Sequence, residues 1–138
     1  MINVSSDDLI SDINIPGTHD CGTAYLKDDK KKKYQCQSLS VSDQMKIGVR
    51  YFDIRCNSKK EYGDTQFIYH ASVPCLNQLG NHIILEDLIH AGNVFLKNHP
   101  SETLIFQIKN EGDNGNDKKL CNYLGRYIKN GTIWAGTK

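Results

Sequence analysis

HIILEDLIHAGNVFLKNHPSETLIFQIKN (residues 82–110) carries two hydrophobic rhythms in succession, and the change between them decides the fold class. In its first part Ile84, Leu88, Ala91 and Phe95 recur at steps of four, three and four, with Leu85, Ile89 and Leu96 flanking them. That is the apolar stripe of an amphipathic helix over 82–98. His99-Pro100 stops it, because proline disfavours helical geometry in the residue before it. Residues 103–110, TLIFQIKN, then read as a strand. Downstream, EGDNGND is a loop and 117–129 has the pattern of a second helix.

Upstream, VRYFDIRC (49–56) suits a buried strand, SKKEYGDT a turn, and QFIYH (66–70) a further strand. Residues 38–47 predict a short helix closing at Gly48. LKDDKKKKYQ (26–35) has no apolar period and reads as a surface loop or an exposed helix start. Residues 13–15 form a short strand ending at Pro16-Gly17, followed by the turn THDCGT. Gly17 and Gly22 lend that turn its backbone freedom. Strands alternating with helices predict an α/β fold with a parallel sheet. Each of the four strands ends in polar residues: His19 and Asp20; Asp53 and Arg55; His70; Lys109 and Glu111. In parallel α/β folds, working groups gather at the C-terminal ends of strands.

The 138 residues leave room for one domain, 1–138. With 38% hydrophobic and 24% charged residues a core is feasible. A formal net charge of +1 gives no reason to expect nucleic acid as a partner. No apolar run reaches the ~20 residues of a membrane span, and MINVSSDDLI lacks the regions of a secretory signal. A cytoplasmic or membrane-peripheral location is expected. The five cysteines form no CxxC pair and their number is odd, which favours free thiols over a zinc knuckle or a closed disulfide set. Cys21 reads as a small residue in a tight turn rather than as a nucleophile.

Two histidines, two aspartates, an arginine and a lysine suit phosphoryl transfer by general acid–base catalysis. One imidazole takes a proton from an attacking hydroxyl while the other gives one to the leaving oxygen, and Arg55 binds two phosphate oxygens at once. Taken singly the same residues have plainer readings. His70 is a hydrogen-bonded strand histidine, Asp53 and Arg55 are a same-face ion pair, and Lys109 is a solubilising strand end. His82, His90 and His99 belong to the helix and its end and are expected to be non-catalytic.

IPGTHDCGT, QMKIGVRYFDIRC, IYH and FLKNHPSETLIFQIKNE, in that order over residues 13–111, resemble the catalytic X region of phosphatidylinositol-specific phospholipase C. The likeness is to the bacterial type and to relatives that cleave glycosylphosphatidylinositol. The resemblance implies a TIM-barrel-like parallel barrel and attack of the inositol 2-hydroxyl on its own phosphate, giving diacylglycerol and inositol 1,2-cyclic phosphate. It implies His19 as general base and His70 as general acid, with Asp20 partnering the acid side and Asp53 supporting the site electrostatically. Arg55 matches the phosphate-binding arginine, Lys109 the lysine that contacts inositol, and Glu111 a further acidic position at the substrate. The calcium-using branch of the family places carboxylates at the positions of Arg55 and Lys109. Two cations there imply a metal-independent enzyme without cofactors.

A full barrel takes about 250 residues, so these four strands would be its first half. The C-terminal half is then expected from the rest of the gene product, along with an aspartate that orients the base histidine. The expected partner is a membrane phospholipid, phosphatidylinositol or its glycosylated form. Lys30–Lys33 reads as a solvated loop whose charge Asp28 and Asp29 partly offset, with contact to anionic lipid as the other reading. The alternative is an inactive X-region module that binds phosphoinositide or a partner protein. A glycerophosphodiester phosphodiesterase would open with His-Arg-Gly and metal-binding carboxylates, and neither is present.

Overall fold

The computed structural model describes residues 5, 7–112 and 116–135. In chain order the elements are β1 (Gly17–Thr18), α1 (Asp28–Tyr34), α2 (Val41–Lys46), β2 (Tyr51–Ser58), β3 (Gln66–His70), β4 (Val73–Pro74), α3 (Leu85–Asn98), β5 (Ile105–Asn110) and α4 (Asn116–Lys129).

The sheet is organised around β2. It runs parallel to β1, with Gly17 opposite Tyr51, and parallel to β5 from Tyr51–Ile105 through Cys56–Asn110. It runs antiparallel to β3, with Cys56 opposite Ile68 and Ser58 opposite Gln66. The expectation of an all-parallel sheet is therefore corrected: the sheet is mixed. The seven residues 59–65 between β2 and β3 are too few for a crossover to a parallel neighbour, which takes a dozen or more. The first strand is also displaced, to Gly17–Thr18 rather than 13–15, and the charged stretch 26–35 forms the helix α1.

Side chains of β2 alternate strictly. Phe52, Ile54, Cys56 and Ser58 are buried, while Tyr51, Asp53, Arg55 and Asn57 lie half-buried on the other face. Phe52, Ile54 and Cys56 join Val41 and Met45 of α2, Leu85, Leu88, Ile89 and Phe95 of α3, and Leu120 and Tyr123 of α4 in one hydrophobic cluster. Helices thus cover one face and leave the opposite face to polar groups. The ends of α2 and α3 have identifiable causes. Ser40 caps α2 by accepting from the Asp43 amide. Gly48, at φ +103°, takes the left-handed turn beyond the end of α2 that a side chain would resist. Asp87 accepts from the Ile84 amide at the start of α3, and His99 ends α3, its backbone amide donating to the Phe95 carbonyl and its ring stacking on the Phe95 ring.

No described helix is long and apolar enough to cross a membrane.

Candidate active site

The polar face of β2 presents Asp53 and Arg55, and the parallel register sets Lys109 of β5 directly beside Arg55. The turn after β1 brings His19 and Asp20 to the same place. Its shape comes from four tethers. The Cys21 amide donates to the Asp53 carbonyl (3.0 Å) and the Asp20 amide reaches Asp53 Oδ2 (3.3 Å). Thr23 Oγ1 donates to the Asp20 carbonyl (2.8 Å). The fourth tether is Gln44, whose residue surface is 1% exposed. Its Nε2 donates to the carbonyls of Cys21 (2.9 Å) and Leu39 (2.7 Å), while its Oε1 accepts from Thr18 Oγ1 (2.9 Å).

The residue that takes the left-handed backbone in this turn is Asp20, at φ +46°. Gly17 and Gly22 do not, which corrects the expectation that they supply conformational freedom. They supply room: a Cβ on Gly22 would stand 2.6 Å from Ile68 Cγ2, so only glycine lets the turn lie against β3.

His70 reaches the site although its strand runs opposite to β2. Because β3 pairs only with the C-terminal part of β2, its own end comes back alongside residues 53–55. The rings of His19 and His70 then stand edge to face with centroids 6.4 Å apart. Between them lies the carboxylate of Asp20, its side chain fully buried. Oδ2 is 3.0 Å from His19 Nε2 and 3.4 Å from His70 Nε2, and Oδ1 is 3.0 Å from Arg55 Nε. Asp20 therefore touches both imidazoles rather than the acid side alone. Only the Arg55 contact is between fixed charges, and among the described residues neither Asp20 oxygen accepts a well-directed hydrogen bond.

Asp53 holds the other side of His19, with Oδ2 3.0 Å from Nδ1. It also accepts from Arg55 Nη2 at 3.1 Å and Nε at 3.2 Å. His70 Nδ1 donates to the Tyr34 carbonyl at 2.8 Å, which fixes a proton on that nitrogen and turns Nε2 toward Asp20. Glu111 Oε1 accepts from the Ala71 amide (2.9 Å) and meets Arg55 Nη1 at 3.5 Å, so this carboxylate is engaged by the protein itself. Lys109 is exposed, and its ammonium forms no ion pair among the described residues.

The electrostatics separate the two aspartates. Burial pushes the Asp20 carboxyl above the usual carboxylate range, against the pull of His70, Arg55 and His19, and Asp53 adds to the push. Burial acts on Asp53 too. There the Arg55 hydrogen bonds, the Asp20 amide and the charges of Arg55 and His19 outweigh it and hold the carboxyl below that range. Arg55 is desolvated, yet Asp53, Asp20 and Glu111 raise its pKa and fix its charge. Burial drives the Cys21 thiol far upward, beyond use as a nucleophile.

All seven residues singled out in the sequence converge on this face. His82 lies apart, against the Phe67 ring, and His99 caps α3 through Nδ1 and the Phe95 carbonyl. Four contributors were not anticipated: Gln44, the Tyr34 carbonyl, Gln37, which donates to the His19 carbonyl at 2.7 Å, and Cys36, whose Sγ is 3.8 Å from His70 Nδ1. Gln44 left a trace. It occupies the inward face of α2 with Val41 and Met45, where an apolar residue belongs.

A family model for the phosphatidylinositol-specific phospholipase C X domain matches residues 14–133. The chain belongs to the phosphatidylinositol-specific phospholipase C X-domain family. Its similar proteins include the 1-phosphatidylinositol phosphodiesterase of Staphylococcus aureus (strain Newman), 33% identical over 105 residues, covering 75% of this chain and 31% of that protein. The protein of the same name from Listeria monocytogenes is 35% identical over 109 residues, covering 76% of this chain and 30% of the relative. The chain thus spans about a third of the length of these curated relatives. Among solved structures, the S. aureus phosphatidylinositol-specific phospholipase C superposes with a TM-score of 0.74 at 25% identity, covering 94% of this chain and 41% of that one. The L. monocytogenes enzyme gives 0.71 at 25%, covering 92% and 44%. The α/β fold of this chain is thus shared with part of these phospholipases.

Proposed function

We propose that this chain carries the catalytic half of a phosphatidylinositol-specific phospholipase C, cleaving phosphatidylinositol or its glycosylated form to diacylglycerol and inositol 1,2-cyclic phosphate. The observation that carries the reading is the pair of imidazoles 6.4 Å apart, with the Asp20 carboxylate between them and Arg55 alongside. In this reaction the inositol 2-oxygen forms a bond to phosphorus as the bond to the glycerol oxygen breaks. The 2-hydroxyl proton goes to His19, whose Nδ1 is held by Asp53 so that the imidazolium is steadied as it forms. His70 Nε2 gives its proton to the departing diacylglycerol, and the Asp20 charge favours the imidazolium that makes this possible. Each transfer contributes about 10²- to 10⁴-fold in rate. The Arg55 Nη2 edge, 3.4 Å from His19 Nδ1, is placed to take a non-bridging phosphate oxygen.

Asp53 contacts the base histidine in the way expected of an aspartate from later in the chain. Lys109, beside Arg55 and without an ion pair among the described residues, is the group for inositol hydroxyls. Glu111 serves the site by holding Arg55 and the residue after His70. The reaction is metal-independent, because Arg55 and Lys109 stand where a calcium ion would need oxygen ligands. Contact with anionic lipid falls to α1, whose last residue supplies the carbonyl that orients His70. Its lysines contribute about 1 kcal/mol each near such a surface.

The test is phosphorus NMR of phosphatidylinositol vesicles incubated with the protein in excess chelator. Inositol 1,2-cyclic phosphate as the first water-soluble product supports the reading. Activity that vanishes in chelator and returns with calcium overturns its metal-free form, and binding of the vesicles without turnover favours the inactive module.

A further inference from the structure

We propose that His19, Asp20 and Cys36 form a binding site for a soft divalent cation such as zinc, which occupies the reaction centre and inhibits it. The three residues offer one ligand atom each, an imidazole nitrogen, a carboxylate oxygen and a thiol sulfur, all within 4.8 Å of one another. On a tetrahedral zinc with bonds of about 2.0–2.3 Å, ligand atoms stand about 3.3–3.6 Å apart. His19 Nε2 and Asp20 Oδ2 are already 3.0 Å apart, and Cys36, on the exposed segment after α1, closes the set by moving roughly 1 Å.

Two further observations favour a cation there. Both oxygens of the fully buried Asp20 carboxylate lack an aligned hydrogen bond among the described residues, and Oδ2 faces the two imidazoles, where the ion would sit. Three carboxylates, Asp20, Asp53 and Glu111, contact the guanidinium of Arg55, and even with Lys109 beside it the carboxylates outnumber the fixed cations by one. The donor set selects the metal. One nitrogen, one sulfur and one oxygen suit zinc, cadmium or cobalt, whereas calcium and magnesium require several oxygens. Three protein ligands leave the fourth position for water or a substrate phosphate oxygen. The inhibitory consequence rests on the proposed function, since the ion would occupy the base and the carboxylate that partners the acid. The binding itself does not.

Titration of the metal-free full chain with cobalt(II), followed by optical absorption, reads the site without any lipid. A saturable one-to-one complex with a thiolate-to-cobalt charge-transfer band, displaced by zinc, is expected. Cys36→Ser should abolish the band, and both it and His19→Gln should weaken zinc binding at least about tenfold. Both positions are exposed and either change leaves the core intact. Cys121→Ser, on the exposed face of α4, should change neither binding nor band. Absence of the band, or zinc binding undiminished in Cys36→Ser, overturns the site. Zinc binding that leaves phosphatidylinositol cleavage unaffected overturns the inhibition while leaving the proposed reaction standing. A chain that binds cobalt as expected but cleaves no lipid supports the site and refutes the proposed function instead.

Discussion

Replacing Gln44 by leucine removes the side chain that ties α2 to the turn bearing His19 and Asp20. Leucine fills similar space but cannot donate to the carbonyls of Cys21 and Leu39 or accept from Thr18. The Cys21 carbonyl is left buried and unpaired, at a cost of about 1–3 kcal/mol. Leu39 is exposed and Thr18 half-buried, so both recover part of their bonding from water and together add about 1 kcal/mol. The sum is about 2–4 kcal/mol, or roughly 8–16 °C in Tm at about 4 °C per kcal/mol for a chain of this size. The assay is thermal unfolding followed by circular dichroism, paired with lipid cleavage at a temperature where the variant is folded. Activity should fall by more than the loss of folded protein explains, because the turn that aims His19 is no longer anchored. Gln44→Glu should be at least as destabilising, since it buries a carboxylate oxygen against the Cys21 and Leu39 carbonyls with no donor between them. A Gln44→Leu protein within 0.5 kcal/mol of the parent (about 2 °C in Tm), with full activity, would refute the claim that this residue organises the site.

Arg55→Lys keeps the charge but loses the fork that spans Asp53 and the phosphate. It should cost about 10²- to 10³-fold in kcat with a smaller change in KM, read from initial rates. Gly22→Ala drives a methyl group into Ile68 and should destabilise by about 1–3 kcal/mol in chemical denaturation. Asp53 is held below the ordinary carboxylate range. Its contribution to stability is therefore full above about pH 4 and is lost as pH falls through its depressed folded value. Asp53→Asn should remove that part of the acid dependence when Tm is measured against pH. Asp20 has the opposite sign: burial raises it, so ionisation costs stability above its unfolded value. Asp20→Asn should unfold no earlier than the parent at neutral pH while losing most of its activity.

Much of this arrangement was legible because its signals are local. The stripe of α3 and the His99-Pro100 stop depend on residues a turn apart, and QFIYH announces β3 within five residues. The direction of β3 depends on what it pairs with. The short span 59–65 nevertheless contained that answer, since so few residues permit a hairpin and forbid a crossover. The site residues could be chosen because each is a titratable group within or just after an apolar run. Their mutual geometry was not readable: that Asp20 touches both imidazoles follows from its left-handed backbone, which a non-glycine residue does not advertise. Tyr34 acts through a carbonyl that any residue could supply, so nothing in its identity marks it. Gln44 was readable in principle, as a polar side chain on the inward face of a short amphipathic helix.

The division of labour between His19 and His70 is tested most directly by changing the leaving group. Rates of His19→Gln and His70→Gln are compared on phosphatidylinositol and on an inositol phosphodiester that expels nitrophenolate, which departs without a proton. The account predicts that His70→Gln recovers most of its lost rate on the nitrophenyl substrate while His19→Gln stays low on both. Equal losses on the two substrates for both variants would contradict it.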